Sequence, residues 1–185
     1  KGRIYERFAA ARIVDLTHEI LAHWPAEAGF WLSRAFEYFP RGTVHVAVVD
    51  PGVGTSRDIL VVEAQGHLLL APDNGLLAPV VARVPGATVR RVDPARLGAF
   101  GLGRISATFH GRDIFAPIAA ELASGRVAAA ELGPVFRGLV PSWVEEPRAV
   151  DGAINGVVIT VDHFGNLISN IESRWIAGLV EPHVY

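Results

Sequence analysis

The sequence predicts an α/β fold. An N-terminal α/β sandwich with a mostly parallel central sheet is expected over residues 1–147, followed by the start of a second, β-rich domain over residues 148–185. Three observations predict this. Residues 43–49 form a nearly continuous β-branched run, which suits a strand covered on both faces, as in a parallel sheet. Strand-like and helix-like runs alternate through about the first 140 residues. Beyond a polar stretch punctuated by Pro141, Pro147 and Gly152, short strand-like runs resume.

The elements follow in order. Arg12–Leu16 reads as a short buried strand. Trp31–Phe39 has apolar residues at helical spacing (Trp31, Leu32, Ala35, Phe36, Phe39), and Pro40-Arg41-Gly42 closes it. Thr43–Val49 is the clearest strand. Ile59–Ala64 and His67–Ala71 flank Gln65-Gly66 and predict a hairpin. Gly75–Val84 is helix-like, Thr88–Val92 strand-like, and Ile114–Ser124 a strongly apolar helix stopped by Gly125. Residues 141–152, with Glu145, Glu146 and Arg148, read as an interdomain linker. Gly156–Asp162 and Asn166–Ile171 are then the first strands of the second unit. The 35 residues from Asp151 to Tyr185 fall below the roughly 40 an unstapled domain needs, so they either pack on the first domain or form part of a larger one.

Composition narrows the function. The chain has 17 basic and 19 acidic residues, a net charge of −2, and so lacks the electrostatic footprint for nucleic acid or an anionic membrane. It has no cysteine, which excludes disulfides, thiolate metal sites and a cysteine nucleophile. No apolar run approaches the ~20 residues of a membrane span. The opening Lys1-Gly2-Arg3 does not read as a secretory leader. A soluble, cytoplasmic protein is the expectation. Methionine is absent throughout, and every basic residue after Lys1 is arginine.

Four segments carry candidate chemistry. In Asp50-Pro51-Gly52-Val53-Gly54-Thr55-Ser56-Arg57 a buried strand delivers Asp50 to its C-terminal end, where α/β sheets bind ligands. The Asp50–Arg57 pair either fixes the loop's shape or faces a ligand. The loop has neither the Gly-Lys-Ser/Thr end of a Walker motif nor the third glycine of a dinucleotide fingerprint. Ala71-Pro72-Asp73-Asn74-Gly75 follows a strand, and Asp73 or Asn74 is either a helix N-cap or a polar floor for a site. Thr108-Phe109-His110-Gly111-Arg112-Asp113 sets three ionisable groups before an apolar helix, fit to hold an anion or simply to cap and pair locally. In Asp162-His163-Phe164-Gly165-Asn166, Phe164 offers an apolar face, Asn166 a donor and an acceptor, and Asp162 a carboxylate. The trio could read a purine and a cation, or form an ordinary hairpin turn. His18, His23, His45, His67, His163 and His183 show no metal-ligand spacing, and no metal is assigned.

Together Val14-Asp15-Leu16-Thr17-His18-Glu19-Ile20, Phe39 through Arg57, Ala71 to Leu77, Thr108 to Phe115 and Asp162 to Asn170 resemble the SAM hydroxide adenosyltransferases, relatives of the fluorinase and chlorinase. The resemblance implies hydrolysis of S-adenosyl-L-methionine (SAM) to adenosine and L-methionine. Asp50, Arg57 and His110 would position and polarise a water for attack on the ribose 5′-carbon. Phe164 and Asn166 would lie against the adenine, Asp162 near the methionine amine, and Asp73, Asn74, Thr108 and Phe109 among the substrate-binding residues. No cofactor is implied, SAM being the substrate. The second unit would open a C-terminal β-barrel, only partly present in these residues. A Thr-Asp-Phe-Gly motif, whose Asp binds the ribose diol in the family, is not found in this sequence. The resemblance further implies a homotrimer with sites between subunits. A halogenase of the same superfamily and a non-catalytic SAM- or adenosine-binding protein are the alternatives. A carboxylate at position 50 disfavours the first, because it repels a halide.

Overall fold

The structure, a computed structural model, describes residues 1–102 and 105–177; His183 lies outside the described residues. The chain divides into two compact units, Lys1–Ser142 and Trp143–Tyr185. The first contains α1 (Gly2–Tyr5), α2 (Pro25–Ala35), β1 (Val44–Val46), β2 (Ile59–Ala64), β3 (His67–Pro72), α3 (Ala78–Arg83), β4 (Thr88–Arg91), α4 (Pro94–Leu97), α5 (Ala116–Ala123) and α6 (Ala129–Leu132). The second contains β5 (Arg148–Val150), β6 (Ala153–Asn155), β7 (Val158–Val161), β8 (Leu167–Ser169) and α7 (Ser173–Ile176).

The first unit's sheet has the order β1-β3-β2-β4. β1 runs parallel to β3, while β2 is antiparallel to both β3 and β4. This corrects the expected mostly parallel sheet. The β2–β3 hairpin forces the antiparallel sense: Gln65 and Gly66 take φ of 50° and 84°, the two positive values a tight two-residue turn requires. The apolar run at residues 43–49 is not covered on both faces as expected: β1 lies at the sheet edge, parallel to its neighbour β3, with Val46 and Val48 exposed. β2 is the strand covered on both faces. Leu60 and Val62 join Leu32, Phe36 and Val80 on one face, whereas Ile59 and Val61 join Phe115, Ile118 and Leu122 on the other. Helices cover both faces of a mixed sheet, and every residue from Ile59 to Val62 is buried.

Several element bounds also differ. α2 begins at Pro25, whose fixed φ suits the first helical turn, and tightens to a 3₁₀ turn at Phe36–Tyr38. The expected strand at Arg12–Leu16 has no ladder partner among the described residues, and Val14 is 69% exposed. The region read as a linker instead carries β5 and the turn of the β5–β6 hairpin, with Asp151 and Gly152 at φ of 49° and 78°. β7 and β8 form another antiparallel pair. Among the described residues of the second unit, no closed barrel is formed.

Among the described residues no helix is long and apolar enough to cross a membrane. None of their His, Asp and Glu side chains form a group of three or more placed to hold a metal ion.

Candidate active site

β1 delivers the chain to the site. Past its end, the Ala47 amide still donates to the Leu70 carbonyl at 3.1 Å, which keeps residues 47–49 beside β3. The carboxamide of Asn74 donates to the Val49 carbonyl at 2.8 Å and fixes the backbone just before Asp50. Asn74 also accepts from the Leu76 amide at 3.3 Å. α3 starts only at Ala78, so neither Asp73 nor Asn74 is its N-cap. Asp73 is buried and accepts from the Val140 amide at 3.0 Å, and burial raises its carboxyl above the ordinary value.

The loop from Asp50 to Arg57 folds back on itself. Thr55 Oγ1 donates to the Gly52 carbonyl at 2.6 Å and accepts from the Arg57 amide at 3.3 Å. Arg57 is thereby turned onto Asp50. Its Nε donates to Oδ1 and Oδ2 at 3.1 and 2.9 Å, and its Nη2 donates to Oδ2. The pair is nearly dry, with 4% of the Asp50 side chain and 9% of the Arg57 side chain exposed. A buried carboxylate needs such a partner, since an uncompensated charge there costs several kcal/mol. Arg57 also stands 5.5 Å from the ring centroid of the fully buried Phe115.

The same guanidinium reaches the third residue. Arg57 Nη2 lies 2.8 Å from His110 Nδ1. Arginine only donates, so Nδ1 must accept and the proton of the neutral ring sits on Nε2. Burial, and next the Arg57 charge, lower the His110 pKa, with Asp50 and Asp113 opposing. Asp50, Arg57 and His110 thus form one connected group, with neutral His110 presenting an N–H donor.

Other candidate residues are placed as follows. Thr108 and Phe109 are exposed on the loop just before His110, with Phe109 under the guanidinium of Arg112 at 4.8 Å. Asp162, Phe164 and Asn166 lie together in the second unit, on the turn between β7 and β8. Asp162 accepts from the amides of Phe164 and Asn166 at 2.9 and 2.8 Å and from the Asn166 carboxamide at 2.7 Å. The Asn166 hydrogen bonds lower its pKa. Phe164 is 92% exposed.

Sequence reasoning missed two features. Phe115 lies under Arg57, for which its place after the His-Gly-Arg-Asp segment was the only signal. The two site loops also interlock at Gly54, where an added Cβ would lie 2.5 Å from the Ala107 carbonyl oxygen.

The first unit thus combines an α/β scaffold with a nearly dry acid–guanidinium–imidazole group. Residues 1–133 match the family model described as the SAM hydroxide adenosyltransferase N-terminal domain, and the chain belongs to that family. It is 44% identical to the (R)-S-adenosyl-L-methionine hydrolase of Salinispora arenicola, over 85% of this chain and 59% of that protein. It is 37% identical to the protein of the same name from Thermus thermophilus, over 98% of this chain and 71% of that protein. An uncharacterized conserved protein from Thermotoga maritima has a similar crystal structure, with a TM-score of 0.84 and 35% identity, covering 95% of this chain and 66% of that one. The chain spans 59% of the length of the Salinispora relatives it matches.

Proposed function

We propose that the protein hydrolyses SAM to adenosine and L-methionine. The observation that carries this reading is the bridge of Arg57 between Asp50 and His110. The names of the relatives support it.

The sulfonium is already a good leaving group, so the barrier lies in aligning and desolvating a poor nucleophile. Asp50, held by Arg57, accepts a hydrogen bond from the attacking water. The Nε2–H of neutral His110 donates to the water oxygen and completes its orientation. Holding the water in line contributes several kcal/mol. The water oxygen bonds to C5′ as the C5′–S bond breaks, and sulfur keeps the electron pair and becomes the thioether of methionine. The water proton passes to Asp50 or to solvent as the new hydroxyl forms. No step requires a cofactor or a covalent enzyme intermediate.

In this reading Thr108 and Phe109 line the substrate beside His110. Phe164 stacks on the adenine, and Asn166 and Asp162 read its edge and the methionine amine. Asp73 and Asn74 form the floor through the backbone groups they hold. The barrel that the second unit would open and the homotrimer rest on the family resemblance, and the cytoplasmic location on the sequence reading alone.

Asp50→Asn should leave SAM binding roughly intact and lower turnover by about 10²-fold or more. Turnover at the wild-type rate would remove Asp50 from this role. Incubation with SAM and chloride or fluoride should give adenosine by chromatography; predominant 5′-halo-5′-deoxyadenosine would establish the halogenase alternative instead.

A further inference from the structure

The chemistry proposed above uses Asp50, Arg57 and His110 and leaves a further buried carboxylate next to them without a task. Asp113 is only 9% exposed, yet it lies on a turn of helix facing the loop that carries His110. Its Oδ2 accepts from the Ser106 amide at 2.9 Å. Arg112 grips both oxygens, Nε on Oδ1 at 2.6 Å and Nη2 on Oδ2 at 2.9 Å. The backbone closes the same segment from the other side: the amides of Arg112 and Asp113 donate to the Phe109 carbonyl at 3.1 and 2.9 Å. Ser106 Oγ accepts from the Thr108 amide at 3.3 Å.

These bonds turn residues 106–113 into a closed ring of chain with Thr108, Phe109 and His110 at its apex. The ring is pressed against the other site loop where Gly54 meets Ala107. We propose that Asp113 is a positioning residue: by tying the Ser106 amide to Arg112, it holds the His110 loop so that the His110 ring meets Arg57. It touches none of the reacting atoms and acts only through the loop. Charge-assisted hydrogen bonds of this type are about twice as strong as neutral ones, which suits a carboxylate over a carboxamide at this position. Arg112, half exposed, supplies the second hold and shields Phe109 with its guanidinium.

The test has two independent arms. In the first, the His110 ring is titrated by NMR in the wild type, in Asp113→Asn and in Arg112→Ala, with thermal melting as the folding check. The charged groups acting on His110 are Arg57, Asp50 and Asp113. A loosened loop gives the ring back to water and moves it away from Arg57, so its midpoint should rise by about half a pH unit or more in Asp113→Asn. Loss of the Asp113 charge alone would lower the midpoint, so the direction separates positioning from direct electrostatics. Arg112→Ala, which alters only a half-exposed side chain, should move the midpoint the same way by less. An unchanged or lowered midpoint in a folded Asp113→Asn overturns the proposal, and if that variant does not fold, an unchanged midpoint in Arg112→Ala does so.

The second arm rests on the hydrolase reading. Asp113→Asn should lower kcat for adenosine release by about 10-fold or more, with KM for SAM changed far less, because a misplacement near 1 Å can cost as much as ~10²-fold. Equal kcat in a folded variant overturns the proposal. Wild-type protein that releases no adenosine refutes the hydrolase reading and leaves the titration arm to decide the role of Asp113.

Discussion

Substituting Gly54 by alanine would test the interlock of the two site loops. Gly54 has φ of +80°, and its added Cβ would lie 2.5 Å from the Ala107 carbonyl oxygen and 3.5 Å from the carbonyl carbon. Ordinary C···O contacts lie at about 3.3–3.6 Å, so the loops must part by roughly 1 Å. A left-handed backbone costs alanine about 1–2 kcal/mol, and overpacking typically adds about 1–3 kcal/mol. The expected loss is therefore about 2–5 kcal/mol in chemical denaturation. Turnover should fall by up to about 10²-fold, because the movement separates the Asp50–Arg57 loop from the His110 loop. Two other glycines separate the contributions. Gly86 has nearly the same φ, +86°, but nothing within 4 Å, so Gly86→Ala should lose only the backbone contribution and keep full turnover. Gly52 has no positive φ, and its Cβ would meet Thr55 Oγ1 at 3.4 Å and Arg57 Cγ at 3.5 Å, ordinary contacts that predict a loss below about 1 kcal/mol. If Gly54→Ala is no less stable than Gly86→Ala and turns over at the wild-type rate, the loops do not depend on this close approach.

Two further perturbations follow from the buried polar groups. His45 and His67 are both buried, with Nε2 and Nδ1 3.3 Å apart, and burial pulls His45 from 6.5 to about 4. Burial and the Arg41 charge lower His67 as well, against the opposing pull of Glu37. The folded state therefore binds fewer protons than the unfolded one. Stability is fully present above pH ~6.5 and falls as the pH drops toward 4, by roughly 3 kcal/mol from His45 alone. His45→Phe or His67→Phe should flatten this part of the pH–stability curve; an equally steep curve in both would assign the slope to other groups. Asn74→Ala frees the Val49 carbonyl next to Asp50. It should cost about 1 kcal/mol in thermal or chemical unfolding and lower turnover by about 10-fold, because Asp50 loses its backbone support. Unchanged turnover would detach Asn74 from the positioning of Asp50.

What could be read from the sequence, and what could not, follows the range of the forces involved. Gln65-Gly66 predicts a hairpin because two positive φ values are a local demand, and the helix after Asp113 follows from a local apolar run. Asp151-Gly152 obeys the same turn rule, yet the prolines and charges around it made the segment read as a linker. The candidate residues Asp50, Arg57 and His110 stood out by type and by their place after strands and before a helix.

Tertiary structure alone decided which of these side chains meet. His110 is 53 positions from Arg57, and no pattern within either segment specifies that one guanidinium will bind both Asp50 and His110. The strand order was equally hidden: the Gln65-Gly66 turn sets β2 antiparallel to β3, but that β1 lies beside β3 and β4 beside β2 is decided only by packing. The task of Asp113 also emerges only when the chain closes and brings the Ser106 amide to its carboxylate. Side-chain type and short-range periodicity are written residue by residue and encode burial and turns. Pairing across the fold depends on which surfaces the packed core leaves facing one another, so it exists only once that core has formed.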